Sequence, residues 1–119
     1  MQQLLTAPAA LEIETEILRL SSNRPEAHAA QLYDWVQWRQ QCPVSAGNVL
    51  RQLAAAARYR AAPAPAVATR VLSSAGDRLV SPRCSQRLAA AWKVPLALHP
   101  SAGHDLPLDD PDWLLAQLV

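Results

Sequence analysis

At 119 residues the chain is sized for one domain, large enough to enclose a core but near the low end for a layered α/β architecture. Half of the residues are hydrophobic, yet alanine supplies much of that share and phenylalanine is absent, which favours helices over a thick aromatic core. A formal net charge of +1, with both signs interspersed, leaves no electrostatic footprint for nucleic acid or an anionic membrane. Met1–Leu11 has neither a basic leader nor a sustained apolar stretch, and no run approaches the roughly 20 apolar residues of a membrane span. Cys42 and Cys84 lie far apart and in no metal-ligand spacing, so free thiols, and a soluble chain in the cytoplasm, are expected.

In chain order, Ala9–Leu20 reads as a helix with Ile13, Ile17 and Leu20 on one face and Glu12, Glu14, Glu16 and Arg19 on the others. Ser21-Ser22-Asn23 ends it, and Pro25 suits the first turn of a second helix. That helix runs from Glu26 to Gln41 on Leu32, Trp35, Val36 and the aliphatic stem of Arg39, with Tyr33 and Trp38 widening the stripe. Cys42-Pro43 breaks it. Ser45 caps a third helix whose apolar face is Val49, Leu50, Leu53, Ala54 and Ala57. Residues 61–66, Ala-Ala-Pro-Ala-Pro-Ala, are too rich in proline to continue a helix and should run extended.

Beyond this linker the pattern becomes strand, helix, strand, helix. The strands are Val67–Ser73 and Val94–Leu98. The helix between them, Arg83–Trp92, begins at Ser81-Pro82 and directs Leu88, Ala91 and Trp92 inward. Asp110-Pro111-Asp112 starts the last helix, with Trp113, Leu114 and Leu118 as its buried residues. Two parallel strands joined by a helix form a βαβ unit, and parallel strands are normally covered on both faces and paired on both sides. We therefore expect an α/β fold in which residues 1–60 are a helical cap-like segment, 61–66 a linker, and 67–119 a βαβα edge of a larger sheet. The exposed edge of that sheet is a route to self-association.

Each strand runs into a loop bearing a chemically able side chain: Asp77 after Ser74-Ala75-Gly76, and His104 after His99-Pro100-Ser101-Ala102-Gly103. Open α/β sheets place their sites at the carboxyl ends of strands, so adjacent parallel strands would set this carboxylate beside this imidazole. Alone, Gly-Asp is an ordinary turn and a loop histidine an ordinary cap or surface residue. Together they suit acid–base work. A histidine base needs one ring nitrogen towards the proton it takes and the other donating to an acceptor, and a carboxylate there fixes the tautomer and stabilises the imidazolium. Gly76 and Gly103 permit tight loops before each residue.

The other candidates read as structural. None of Ser21, Ser22, Ser45, Ser73, Ser74, Ser81, Ser85 or Ser101 stands in a G-x-S-x-G setting, and Ser101 lies in the histidine loop rather than at a strand-to-helix turn. Cys84 starts a helix, where a thiol pKa can fall, but reads as a packed small residue. His28 on a polar helix face and His99 at a strand end have no metal spacing. Asp105, Asp109 and Asp110 cap the last helix or line a loop, with Asp105 the reserve acid should Asp77 point away. Trp35, Trp38, Trp92 and Trp113 read as core or layer contacts. Trp35 and Trp38 would line an acyl pocket if the helical segment is a cap.

From Pro65 onward, the run P-x-x-x-x-R-V-L-S-S-x-x-D-x-L-V-S-P-x-C-S-x-x-L-A, then W-x-x-P-L-x-x-H-P-x-A-G-H-D-L-P-L-D-x-P-x-W, resembles the C-terminal portion of α/β-hydrolase-fold enzymes. There the last strands carry the acid and then the histidine of a Ser-Asp-His triad. The resemblance implies a serine hydrolase acting on a small carboxylic-ester-like substrate, with Asp77 as acid and His104 as base and with no cofactor or metal. It also implies that the nucleophile elbow and oxyanion donors belong upstream of this chain, which alone would be inactive. Two alternatives stand beside it. One is a non-catalytic helical and α/β interaction domain in which Asp77 and His104 are loop residues. The other is a complementing chain that pairs with a separate nucleophile-bearing one.

Overall fold

A computed structural model describes residues 7–118, so residues 1–6 of the expected 1–60 segment, and Val119, lie outside it. The elements are α1 (Ala7–Ser21), a 3₁₀ turn (Pro25–His28), α2 (Gln31–Gln41), α3 (Ala46–Arg58), β1 (Val71–Ser74), α4 (Pro82–Trp92), β2 (Leu96–His99), α5 (Leu106–Asp109) and α6 (Pro111–Ala116). The fold is mixed α/β. Among the described residues it has six α-helices and one sheet of two parallel strands, none of the helices being long and apolar enough to cross a membrane.

β1 and β2 pair from Val71↔Leu96 to Ser74↔His99, with α4 as the crossover packed against both. Both strands are shorter and later than the apolar runs indicate. Val94 donates its N–H to Ala89 O and so still belongs to the end of α4, and Pro95 has no N–H for a ladder. The first rung is therefore Val71 N to Pro95 O, 2.9 Å. Among the described residues Val67 to Arg70 pair with no strand, and Val67 is exposed. Ser81 caps α4 by accepting from Arg83 N, Pro82 takes the first turn, and Lys93 ends the helix in the left-handed region at φ 56°. Ala89 is the buried residue of α4. Leu88 and Trp92 are half-buried, while Ala91 faces outward against expectation. Trp92 Nε1 donates to Ala62 O at 2.9 Å, which ties the irregular 61–66 stretch to this helix.

The helical half departs further from its apolar pattern. In α1 the inward stripe is Ala10, Glu14, Leu18 and Ser21, whereas Ile13, Ile17 and Leu20 are exposed. Both stripes have helical spacing, and in the inward one Glu14 is paired with Arg39 of α2, which offsets the cost of burying its carboxylate. The expected second helix is divided: Pro25 starts a 3₁₀ turn, and α2 begins only at Gln31. α3 forms as its cap predicts, Asn48 N donating to Ser45 Oγ at 3.2 Å. Its apolar face is nonetheless uncovered, with Val49, Leu50 and Leu53 exposed by 43, 67 and 61%. At the other end, α6 starts at Asp110-Pro111 as expected, with Trp113 and Leu114 half-buried and Leu118 exposed, and a further single turn, α5, precedes it.

Among the described residues the buried apolar ones are few and mostly small: Ala10, Leu18, Val71, Ala89, Ala102 and Leu106. So much uncovered apolar surface should bind a hydrophobic dye and drive self-association. Replacing Val49, Leu50 and Leu53 together by glutamine is expected to lower dye fluorescence and shift sedimentation towards monomer. Because these side chains pack on little, unfolding stability should change by less than about 1 kcal/mol.

Candidate functional site

Asp77 follows the end of β1 by three residues and His104 follows the end of β2 by five. The ladder continues one step past the strands, Ala75 N donating to His99 O at 2.8 Å, so the two loops leave side by side. Ser74, buried, donates its hydroxyl to Ala102 O and accepts from Gly76 N at 3.2 Å. Gly76 is needed for close approach and not for a positive φ, which it does not have. A Cβ there would stand 2.5 Å from both Ala102 O and the Asn23 side-chain amide. Gly103 is equally enclosed, with Ser21 O and the Ser22–Asn23 backbone where its Cβ would be.

These contacts bring the acid and the imidazole together. His104 Nδ1 lies 2.9 Å from Asp77 Oδ2. Asp77 Oδ1 is fixed separately, accepting from Leu79 N at 2.8 Å and Val80 N at 2.9 Å. A carboxylate can only accept, so Nδ1 carries the proton and donates it, which in the neutral ring leaves the lone pair on Nε2. The Asp77 side chain is 12% exposed and that of His104 44%, an arrangement with a sheltered acid and an accessible base. Burial pushes the Asp77 carboxyl up, but the Val80 N–H, His104 and the Leu79 N–H together hold it below its ordinary value. Arg78, next in sequence, points away: its guanidinium donates to Arg19 O and Ser22 O, closing the carbonyl end of α1.

The loop that carries His104 is held by side chains. Ser101 N and Ala102 N both donate to His99 Nδ1, at 3.1 and 2.8 Å, and Gly103 N donates to Asp109 Oδ2 at 2.6 Å. His99 is thus a buried anchor, with Nε2 3.2 Å from Asp110 Oδ2 and its ring edge-on to Trp113. Asp109 is more central still. Only 3% exposed, it accepts from the Ser22 hydroxyl, Asn23 N and Gly103 N, and Arg24 donates to its carbonyl. His28, expected on a polar face, instead turns its Nε2 to 3.5 Å from Asp109 Oδ1. Burial raises the Asp109 carboxyl, yet Ser22, the Asn23 and Gly103 amides and His28 lower it below the usual range. Asp110, capping Trp113 N and bonded to His99, is lowered too. Asn23 completes the clasp, its side-chain amide donating to Gly76 O and Ser101 O at 3.0 and 2.9 Å.

The reserve candidates lie elsewhere. Asp105 caps α5 through Leu108 N, and its own N–H donates to Ser21 O at 2.9 Å. Cys84 is exposed in the first turn of α4. Trp35 and Trp38 border a shallow groove of about 280 Å³ with Glu14, Arg39, Cys42 and Val44. A larger apolar groove of about 760 Å³ lies between α1 and α2, lined by Leu11, Leu32, Tyr33 and Val36 among others. Among the described residues, no hydroxyl or thiol is hydrogen-bonded to His104, and no cluster of three or more His, Cys, Asp or Glu is placed to hold a metal ion.

The chain matches no family model, no curated protein and no solved structure. The roles of Ser22, Asn23, Arg78 and Asp109 are carried by long-range bonds that leave no periodic trace, and that of His99 by nearby backbone amides. One local signal was present: of the adjacent pair Asp109-Asp110 only one can cap the helix that follows, which leaves the other carboxylate needing donors of its own.

Two expectations follow. Asp77, Asp109 and Asp110 have folded pKa values below their ordinary 3.8, so the unfolded chain binds more protons in acid. Their stabilisation is present above that value and is lost as pH falls through the lower folded ones. Asp109→Asn should destabilise the chain by about 2 kcal/mol at pH 7 and flatten this acid limb, as read by urea unfolding across pH. Gly76→Ala should cost about 1–3 kcal/mol by overpacking, with the His104 ring resonances displaced in the folded protein.

Proposed function

We propose that Asp77 and His104 are the acid and base of a Ser-Asp-His hydrolase of the α/β-hydrolase type, acting on small carboxylic esters, with the nucleophile supplied from outside the described residues. The observation that carries this is the 2.9 Å bond from His104 Nδ1 to Asp77 Oδ2, made while two backbone amides hold the other carboxylate oxygen. Its setting at the carboxyl ends of adjacent parallel strands, acid before histidine, supports the same reading.

In this chemistry His104 Nε2 takes the proton of a seryl hydroxyl as its oxygen bonds to the ester carbonyl carbon. The imidazolium keeps its Nδ1–H on Asp77, then passes the Nε2 proton to the departing alkoxide as the C–O bond breaks. Water gives a proton to the same nitrogen as its oxygen bonds to the acyl carbon, and His104 passes that proton to the serine oxygen as the acyl–serine bond breaks and the acid leaves. No cofactor or metal enters this scheme. A second reading, an interaction module in which Asp77 and His104 merely clasp two loops, is favoured by the uncovered apolar face of α3.

The 119-residue chain should show no labelling by a serine-directed fluorophosphonate and no ester turnover above that of His104→Ala. Joining or adding a segment with a G-x-S-x-G elbow should restore both, and Asp77→Asn should then lower kcat by as much as about 10⁴-fold by leaving the imidazole in the wrong tautomer. Labelling of the 119-residue chain itself would locate a nucleophile within it, Ser101 being the first to test. Full activity of the Asp77→Asn enzyme would remove Asp77 from the acid role.

A further inference from the structure

Three consecutive amides, those of Ser101, Ala102 and Gly103, precede His104, and each donates to a side chain rather than to a neighbouring strand or helix. Two of the three end on one atom, His99 Nδ1. That atom can accept only if it carries no proton, so the ring must be the Nε2–H tautomer, with Nε2–H donating to Asp110 Oδ2 at 3.2 Å. Packing and hydrogen bonds favour this ring orientation. The ring is packed edge-on to Trp113 at 5.0 Å between centroids, its side chain is 9% exposed, and Asp110 is itself engaged by Trp113 N at 3.0 Å. The two histidines of this loop therefore hold their protons oppositely: His104 on Nδ1 towards Asp77, and His99 on Nε2 towards Asp110.

We propose that His99 is the positioning residue for His104: its unprotonated Nδ1 gathers the Ser101 and Ala102 amides into the turn that delivers the His104 imidazole to Asp77. The assignment rests on His104 being the base of the proposed hydrolase, but the geometry it describes is measurable without turnover. Loss of the acceptor leaves the buried Ala102 amide and the half-sheltered Ser101 amide without a partner, so the turn reorganises and His104 leaves the carboxylate. His99 is paired with Asp110 at the start of α6, and Arg24, from the segment after α1, acts on that same carboxylate.

The test is a two-bond proton–nitrogen NMR correlation of the imidazole rings in the intact chain at one neutral pH, with and without substitutions at residue 99. In the unsubstituted protein His99 is expected as the Nε2–H tautomer and His104 as Nδ1–H. His99→Asn places an amide oxygen where Nδ1 was and is expected to keep the Nδ1–H pattern of His104. His99→Gln keeps a donor towards Asp110 but withdraws the acceptor from the turn, and is expected to lose that pattern, both His104 nitrogens moving to averaged shifts. An Nδ1–H tautomer for His99, or an unchanged His104 pattern in folded His99→Gln, overturns the proposal. Should His99→Gln unfold, as circular dichroism would report, a lost His104 pattern in folded His99→Asn overturns it equally. Absence of ester turnover in the nucleophile-supplemented protein, with these tautomers intact, would defeat the hydrolase reading and leave the positioning role standing.

Discussion

A carboxylate taken out of water must find donors, and the burial of Asp109 is the constraint around which the two halves of this chain meet. Its oxygens collect the Ser22 hydroxyl, the Asn23 amide and the Gly103 amide, so the end of α1 and the histidine loop are joined through one residue. Apolar packing alone could not do this, because the buried apolar side chains are few and mostly small. Polar bonds give the junction its direction as well as its strength. Asn23, held by Asp109 through its backbone, spends its side chain on the carbonyls of Gly76 and Ser101, and thereby spans the acid and histidine loops at once.

The close approach of three segments explains why glycine stands at 76 and 103. Neither has a positive φ, so neither is there for backbone freedom. Each is a place where backbone meets backbone without room for a methyl group. The separation between Asp77 and His104 is consequently set by main-chain contacts, with the side chains needing only to point towards each other.

The legible part of this architecture was the part encoded locally. Apolar runs ending in Gly-Asp and Gly-His loops revealed two parallel strands and the two residues at their ends. Ser45, Ser81 and Asp110 marked helix starts through cap chemistry that operates within three residues. The limits of the strands were less clear, because Val67 is apolar yet has no partner and Pro95 delays β2. The buried face of α1 was illegible for another reason: Ala10-Glu14-Leu18 and Ile13-Ile17-Leu20 share one period, and Arg39, the partner of Glu14, lies 25 residues away. His99 read as an ordinary strand-end residue because its partners are backbone amides, which every sequence contains.

The bond between Ser22 and Asp109 spans 87 residues, whereas the one between Asp77 and His104 spans 27. Closing the longer loop costs about 1 kcal/mol more chain entropy, since that cost grows with the logarithm of length. The order of assembly follows from this difference. The βαβ unit can pair and bring its two loops together over short separations, and the end of α1 then docks on a surface that already exists. The kinetic counterpart expected of the polar junction is a folding transition state with β1, α4 and β2 in place and Ser22–Asn23 still free, the α1 terminus arriving last.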